Sequence, residues 1–301
     1  MRLAELRALL ARRHRRLRER PDEAAPPPDL PDPRHAAAHP AAPAGGLWTP
    51  LRLQVAELLW GQGFLLPGGA TEMLRLAAPL GLSAASSLLL LGAGSGGTMI
   101  RLAGELGVWV RGYEADPFLA DTASRRVQRA GVALAKRATV DHWDPAAPDF
   151  PHRLFHHALA AEALRVTRPE DALAALARAI RPGGQVAVLQ TVVGARRDAD
   201  AAAWRRLDPR PLPEAEAIGR TLVRLGLEVR VAEDVSARHM HAAVIGWRDM
   251  LRGLKGVRPE PALAAAMVAE AEHWLRRIAL MRAGGLRVVR WLALDRGKDP
   301  T

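Results

Sequence analysis

A glycine-rich turn directly follows an apolar run, and an acid ends the next apolar run along the chain. Residues 88–97 are LLLLGAGSGG, and Glu114 ends VWVRGYE. Gly92 allows the chain to leave a strand with backbone angles that other residues avoid, and Gly94 and Gly96 leave the backbone open to a ligand. A strand, a tight turn, a helix, a second strand and a terminal acid predict a site for an adenosine-containing cofactor at the carboxyl edge of a parallel sheet. We expect the Glu114 carboxylate to accept hydrogen bonds from both ribose hydroxyls.

The glycine spacing narrows the class of cofactor. The turn is GxGxG followed by Gly97, whereas nicotinamide- and flavin-binding folds place the third glycine one residue later for close helix packing. We expect the N–H groups at the start of the following helix to bind a carboxylate or phosphate of the ligand. An ordinary turn is the alternative, because glycine-rich loops also occur without a ligand.

Two further acids follow apolar segments. Asp144 precedes Pro145 after the segment 138–143, and Glu162 follows the segment 154–160. If both segments are strands of one parallel sheet, their carboxyl ends lie at the same edge as the glycine turn. The alternatives are that Asp144 caps a turn before the proline and that Glu162 pairs with a nearby arginine.

The amino-acid composition disfavours a metal site and a cysteine nucleophile. The chain has no cysteine, which excludes disulfides, thiolate metal sites and cysteine nucleophiles. His156 and His157 are adjacent, so in a strand they face opposite sides and disfavour a metal pair. With no HxxxH motif and no clustered carboxylates, we predict no metal. His239, His241 and His273 remain candidate general bases.

The charge is strongly positive, with 43 Lys and Arg residues against 32 Asp and Glu residues and a formal net charge of +11. Such a charge favours an anionic partner such as nucleic acid or lipid headgroups. Only three of the basic residues are lysines, however, and this arginine-rich, alanine-rich composition is typical of GC-rich bacterial genomes. One tyrosine and four phenylalanines offer no stacking surface for single-stranded RNA. We therefore do not expect a nucleic-acid partner.

The composition predicts three parts. Residues 1–20 form a basic, leucine-containing segment that favours an amphipathic helix on a protein or an anionic membrane surface; a solvated tail is the alternative. Residues 21–46 are a proline- and alanine-rich linker. Residues 47–301 form the folded domain. No apolar run reaches the ~20 residues that span a bilayer, and the N-terminus lacks a secretory h-region, so we expect a cytoplasmic protein.

Strands and helices alternate along the folded domain, which predicts a doubly wound α/β sheet with helices on both faces. A turn is predicted at RPGG (181–184). Strands are predicted at 87–91, 108–113, 138–143, 154–160, 185–193, 227–233 and 287–295. Helices are predicted at 51–60, 72–80, 97–106, 117–130, 169–180, 214–225, 240–252 and 260–282. The tryptophans Trp247, Trp274 and Trp291 are interpreted as core residues rather than an aromatic cage for a cationic amine.

These motifs in order resemble class I S-adenosylmethionine-dependent methyltransferases. The resemblance rests on the glycine turn, the acids after the second, third and fourth strands, and RPGGQVAVL after a helix. A further segment, WGQGFLLPGG, resembles the FGxGFxSxGG segment of phosphoethanolamine-type N-methyltransferases. The resemblance implies a Rossmann-like, seven-stranded, mostly parallel sheet with the last strand antiparallel. It also implies a lid at 51–80 and substrate-side helices at 240–283.

By the same resemblance, four residues face the methionine part of S-adenosyl-L-methionine, and a fifth lies near the cofactor. Gly92, Ala93, Gly94 and Gly96 would face it from the glycine turn. Gly69, in the lid turn, would lie near the cofactor.

The resemblance also assigns the rest of the cofactor. Glu114 would bind the ribose, and Ala115 would lie beside the adenine. Asp144 would hydrogen-bond the adenine amino group with Pro145 against the ring; Asp144 is preferred to Asp141 for its distance to PheProHis at 150–152. Glu162, our predicted catalytic residue, would stand where cofactor and acceptor meet.

Several positions depart from the family pattern. An acid is usual where Leu90 stands, an aspartate where His156 stands and, in phosphoethanolamine enzymes, a histidine where Val166 stands. Those enzymes also use several tyrosines to bind the phosphobase, whereas Tyr113 is the only tyrosine here. Phosphoethanolamine is therefore disfavoured as the acceptor.

Three functions follow, in order of preference. The first is methyl transfer from S-adenosylmethionine to nitrogen, oxygen or carbon of a small molecule. Such a displacement needs a base only if the acceptor must lose a proton. The second is a methyltransferase-fold partner or scaffold protein that has lost catalysis. The third and weakest is an RNA methyltransferase, for which no [DN]PP[YF] motif is present. The oligomeric state and the atom methylated are left open.

Overall fold

A computed structural model describes residues 47–195, 208 and 210–297, so the predicted tail (1–20) and linker (21–46) lie outside the described residues. The strands are β1 (Ser87–Leu91), β2 (Trp109–Glu114), β3 (Ala138–His142), β4 (Phe155–Ala161), β5 (Ile180–Val193), β6 (Leu227–Asp234) and β7 (Leu286–Asp295). The helices are α1 (Pro50–Trp60), α2 (Gly69–Ala77), α3 (Gly97–Leu106), α4 (Pro117–Arg129), α5 (Val132–Ala135), α6 (Pro169–Ala179), α7 (Ala215–Arg224), α8 (Ser236–Gly253) and α9 (Pro261–Ala283).

The seven strands form one sheet in the order β3-β2-β1-β4-β5-β7-β6. The first five strands pair in parallel, and β7 lies between β5 and β6 antiparallel to both. The predicted seven-stranded sheet with an antiparallel last strand is confirmed. Parallel neighbours place the ends of β1, β2 and β4 at one edge, where the predicted site residues lie.

Strand β1 is buried on both faces, as its continuous apolar run predicted. Leu89 and Leu91 pack into the core beneath α6 and α7. Leu88 and Leu90 pack into the opposite core beneath α2 and α3. Leu90, which stands where the methyltransferase pattern has an acid, is therefore an apolar core residue with 0% exposure.

One local prediction was wrong, and one short helix was not predicted. RPGG at 181–184 is part of β5 rather than a separate turn, because the pairing passes from Phe155 with Ile180 to His157 with Gln185. Four residues of β5 (181–184) thus lie opposite one residue of β4 (His156), and the extra length forms an irregularity in which Gly183 has a φ of +80°. The short helix α5 was not predicted, since no sequence pattern marked its four residues.

Helix α1 packs with α8 and α9 into a separate apolar cluster beside the sheet. The cluster contains Trp60, Trp247 and Trp274, and Trp291 lies in the core beneath the sheet, so all three C-terminal tryptophans are core residues as predicted. Helix α2 begins at Gly69 and α8 at Ser236, both a few residues earlier than predicted. In the described part of the chain, no helix combines the length and apolar character needed to cross a bilayer.

Candidate functional site

The glycine turn after β1 has the backbone angles that its sequence predicted. Gly92 has a φ of +80°, and a Cβ there would stand 2.5 Å from the carbonyl oxygen of Ala161 at the end of β4. The N–H groups of Gly92 and Ala93 donate to the carbonyl oxygen of Tyr113 at 2.9 and 3.2 Å. These contacts fasten the turn between the ends of β2 and β4, where only glycine fits at the first position.

Glu114 lies directly against the glycine turn, with 8% of its surface exposed. Its Oε2 accepts from the N–H of Gly94 at 2.7 Å, and Oε1 accepts from the N–H groups of Ala115 and Asp116 at 2.9 and 3.1 Å. Burial raises the pKa of Glu114 to about 7, although these backbone donors favour the ionised form and oppose the shift. Two parts of the predicted cofactor site thus meet in a buried contact.

Asp144 occupies an exposed turn two residues beyond β3. Its Oδ1 accepts from the N–H of Ala146 at 2.9 Å, and its carbonyl oxygen accepts from the N–H of Ala147 at 3.1 Å. The turn-capping role that the sequence offered as an alternative is therefore present. Its contact with an adenine, beside Pro145, stays a prediction.

Glu162 follows β4 in a left-handed conformation with a φ of +54°. Its Oε2 accepts from Gln190 Nε2 at 3.2 Å, its Oε1 accepts from Thr191 Oγ1, and Oε1 lies 3.5 Å from Arg277 Nη2. A non-glycine residue with positive φ costs about 1–3 kcal/mol and often marks a functional site. Both carboxylate oxygens of the predicted catalytic residue are thus engaged by neighbouring side chains.

Three residues around Glu162 had no predicted role in the site: Gln190, Thr191 and Arg277. Gln190 and Thr191 are polar residues inside the apolar run of β5, and this interruption was a signal that could have been used. In the sequence, Arg277 cannot be distinguished from an exposed arginine of a long helix, and it lies 115 residues from Glu162. No local pattern predicts that pairing.

The segment 51–80, the predicted lid, is hydrogen-bonded to the glycine turn. Glu57 Oε1 accepts from the N–H of Gly63 at 3.1 Å, from Ser95 Oγ at 3.3 Å and from Arg126 Nη2. The carbonyl oxygen of Gly63 accepts from the N–H of Gly97 at 3.0 Å. The N–H of Gly97 is therefore capped by the segment after α1, and the expectation that the N–H groups of α3 beyond Gly97 bind a ligand stays a prediction.

Gly69 is required by packing within the lid itself. A Cβ at Gly69 would stand 2.0 Å from the carbonyl oxygen of Trp60, where α1 ends. Leu65 is the lid residue that lies over the glycine turn, since a Cβ on Gly94 would come within 3.0 Å of its Cδ1. Proximity of Gly69 to the cofactor stays a prediction.

The candidate general bases differ in environment. His241 is exposed, whereas His239 is 5% exposed and His273 is half-buried. Burial lowers the pKa of His239 well below its ordinary value and that of His273 to about 3, and in both cases Arg277 lowers it further. Histidines with such pKa values are neutral near pH 7 and are poor general bases there. The described residues contain no group of three or more histidines and acids placed to hold a metal ion.

No protein-family model and no curated protein matches this chain. Several solved structures, however, are similar to it in fold. Phosphoethanolamine N-methyltransferase 2 from Haemonchus contortus, in complex with S-adenosyl-L-methionine, has a TM-score of 0.71 at 18% identity, over 81% of this chain and 56% of that chain. The fold is that of class I methyltransferases. The predicted resemblance is thus confirmed at the level of the fold, and this chain spans little more than half the length of the Haemonchus protein.

Two further structures show how widely this fold is used. Geranyl diphosphate C-methyltransferase from Streptomyces coelicolor, in complex with S-adenosyl-L-homocysteine, has a TM-score of 0.58 at 14% identity, over 74% of this chain and 78% of that chain. The cyclase SpnF has a TM-score of 0.63 at 18% identity, over 83% of this chain and 93% of that chain. The class I methyltransferase fold therefore also occurs in a protein described as a cyclase, and function must be argued from the site.

Proposed function

We propose that this protein is an S-adenosylmethionine-dependent methyltransferase acting on a small-molecule acceptor. The observation that carries the proposal is the buried contact between the Glu114 carboxylate and the glycine turn. A buried acid against a glycine-rich turn suits a ribose on one side and an extended methionine chain on the other. Neighbours of the same fold that contain S-adenosylmethionine or its demethylated product support this reading.

The residues available around the turn fit this cofactor. Gly92, Ala93, Gly94 and Gly96 would hold its methionine end, with Gly69 approaching from the lid. Glu114 would accept the ribose hydroxyls once ionised. The adenine would lie between Ala115 and the turn formed by Asp144 and Pro145.

The cofactor, when bound, supplies a methyl group already activated by a positively charged sulfur. The chain then has to align the acceptor and exclude water. The lid segment, held to the glycine turn through Glu57, suits the exclusion of water. Glu162 has both oxygens engaged by hydrogen-bond donors, so we assign it an electrostatic role at the boundary between cofactor and acceptor rather than proton transfer.

Isothermal titration calorimetry with S-adenosylmethionine and S-adenosylhomocysteine tests the proposal. We expect binding by the wild type and a loss of at least about tenfold in affinity for Glu114→Ala, because hydrogen bonds to a charged group contribute about 1.5–3 kcal/mol. Glu105→Ala is the matched control, since Glu105 pairs with Arg101 on the exposed side of α3. Absence of binding at millimolar ligand would overturn the proposal.

The second candidate is a methyltransferase-fold partner or scaffold protein without catalysis. The buried Leu90 at the usual acid position and the occupied N–H of Gly97 favour it. It predicts that mass spectrometry finds no cofactor in the purified protein, and that a pull-down partner is lost when residues 1–20 are removed. An RNA methyltransferase is supported by the charge alone and requires RNA binding that survives raised salt.

A further inference from the structure

A large groove opens on the side of α1 that faces away from the core. Residues of α1, α2, α3, α4 and α8 line it, together with residues 257–263 after α8, and its volume is about 2240 Å³. Glu114, Asp144 and Glu162 are not among the lining residues. The groove is therefore separate from the proposed site of methyl transfer.

Helix α1 contributes an exposed apolar face to this groove. Leu53 and Val55 of α1 are fully buried in the core, whereas Leu51 and Leu58 in the groove are 38% and 44% exposed. Ile245 of α8 extends the apolar lining. A helix that is apolar on all sides is normally buried, and exposed apolar surface with a polar rim marks interaction sites. The outer face of α1 therefore suits contact with a second apolar surface.

Three carboxylates that line the groove are already paired with arginines. The pairs are Glu57 with Arg126, Glu72 with Arg238 at 2.9 Å, and Asp249 with Arg248 at 2.8 Å. The charges of these residues largely neutralise one another, so the charge that the groove offers to a partner comes from other side chains.

Three other arginines give the groove an excess of positive charge. Arg125 and Arg129 of α4 and Arg258 after α8 are exposed, and none of them forms an ion pair with a carboxylate in the part of the chain that the structure describes. Among the described residues, Glu260 is the only lining carboxylate without an ion pair. The unpaired charges are thus three positive and one negative, so the groove attracts an acidic partner.

The size of the groove suits a helix. A helix with its side chains is about 10–12 Å across, so a volume of about 2240 Å³ accommodates roughly four to five turns. A concave surface contacts a helix along its length, whereas a flat bilayer would reach only the rim of the groove. The chain's own residues 1–20 have eight arginines against two glutamates, so their charge disfavours them as the occupant.

We propose that this groove binds an acidic amphipathic helix of a partner protein. The apolar face of that helix lies on Leu51, Leu58 and Ile245, and its carboxylates reach Arg125 and Arg129. Helices recognised in this way carry apolar residues at i, i+3, i+4 and i+7 on one face. The interaction is additional to methyl transfer and does not depend on the binding of a cofactor.

Three synthetic peptides of about 18 residues, or five helical turns, test the charge and the apolar face. The first has leucines at the spacing given above and glutamates on the other face. The second has lysines in place of the glutamates, and the third has the composition of the first in an order without an apolar face. In fluorescence anisotropy with the full-length protein, the first peptide should bind at least about tenfold more tightly than the other two. Equal binding of the third peptide, or tighter binding of the lysine peptide or of a peptide with the sequence of residues 1–20, overturns the proposal.

Charge reversal locates the binding site. When Arg125→Glu is combined with Arg129→Glu, the acidic peptide should bind about tenfold more weakly than to the wild type, and the lysine peptide should bind more tightly. The matched control combines Arg178→Glu with Arg220→Glu, two exposed arginines on α6 and α7, which pack on the opposite face of the sheet from α3. A similar loss of affinity in the control, or no loss in the first variant, contradicts the proposal.

The apolar contact is tested separately. Leu58→Ser should weaken binding of the acidic peptide several-fold, because the leucine would no longer be buried against it. Val223→Ser on α7 is the control, since Val223 is 62% exposed and lies outside the groove. An affinity that Leu58→Ser leaves unchanged contradicts the proposed contact. Flotation with phosphatidylglycerol vesicles examines a membrane as the occupant, and vesicle binding that is lost on charge reversal at Arg125 and Arg129 would overturn the assignment to a helix.

Discussion

At the scale of single residues, two acids at the sheet edge have opposite surroundings. Within the described part of the chain, the Glu114 carboxylate accepts hydrogen bonds only from backbone N–H groups, and burial raises its pKa to about 7. Glu162 is held by side chains that include a guanidinium, in a left-handed backbone conformation. The first acid therefore responds to pH, and the second depends on its neighbours and on backbone strain.

Glu114 makes the stability of the protein depend on pH. Because its folded-state pKa of about 7 lies above the ordinary value of 4.5, the folded state binds the proton more tightly than the unfolded state. Its contribution to stability is complete below pH 4.5 and is lost as the pH rises to about 7. Between these limits, the free energy of unfolding of the wild type should fall by roughly 3 kcal/mol relative to Glu114→Gln.

Urea unfolding of both proteins at several pH values measures this difference. The change with pH in the difference between the two free energies of unfolding is the relevant quantity. The substitution also alters the backbone hydrogen bonds, but that effect is the same at every pH. A difference that does not change across this range would show that Glu114 keeps an ordinary pKa in the folded protein.

Backbone strain at Glu162 can be separated from its side-chain contacts. Glu162→Gly and Glu162→Ala both remove the carboxylate that pairs with Arg277, but only glycine relieves the φ of +54°. Glu162→Gly should therefore be more stable than Glu162→Ala by about 1 kcal/mol. Chemical denaturation decides the order, and the reverse order would mean that the alanine backbone relaxes out of this conformation.

At the scale of elements, the segment 51–80 is joined to the glycine turn and to α4 through the carboxylate of Glu57. Glu57 on α1 links the lid turn at Gly63 with Ser95 and with Arg126 on α4. The lid therefore has one central carboxylate whose removal releases several hydrogen bonds at once.

Removal of that carboxylate should loosen the lid over a bound cofactor. Glu57→Ala is expected to speed the release of S-adenosylhomocysteine about tenfold or more, because hydrogen bonds to a charged group contribute about 1.5–3 kcal/mol. Stopped-flow displacement measures the rate, with Glu105→Ala as the surface control. If the carboxylate acts through Arg126, adding Arg126→Met to Glu57→Ala produces little further change; an unchanged release rate in Glu57→Ala rules out a role in closure.

At the scale of the whole molecule, the C-terminal helices are joined to the N-terminal helix by close packing. A Cβ on Gly246 of α8 would stand 2.3 Å from the Trp60 ring and 2.7 Å from the carbonyl oxygen of Leu59. Gly253, in the same helix, has no atom within 4 Å of such a position. Helix α1 can approach α8 this closely only because Gly246 has no side chain.

The two glycines predict opposite results for the same substitution. Gly246→Ala should destabilise the protein by at least about 1–3 kcal/mol, because overpacking forces backbone or ring shifts. Gly253→Ala should leave the stability unchanged or raise it by up to about 1 kcal/mol through helix propensity. Thermal and urea unfolding of both variants measure the contrast, and similar stabilities would show that α1 and α8 are not held at this distance in solution.

The sequence determined the sheet and the first half of the site. Apolar runs such as Leu88–Leu91 are long enough to be buried strands, and glycine at position 92 is demanded by local geometry, so both could be predicted from neighbours along the chain. The acid at position 114 followed from the same strand–helix–strand unit. Hydrophobic periodicity and the backbone conformations of glycine depend on a few neighbouring residues. The strands and the glycine turn could therefore be predicted from the sequence.

Only the tertiary structure decided the rest of the site. The pairing of Glu162 with Arg277, the unpartnered nitrogen of His239 among the described residues, and the capping of Gly97 by the lid all join segments far apart in the chain. These groups are polar or charged in any environment, but they contact one another only because the fold buries them together. Their burial depends on the packing of α1 and α9 against the edge of the sheet. The sequence alone therefore predicted the fold and a candidate cofactor site, and the tertiary structure assembled the polar contacts around Glu162 at the same edge.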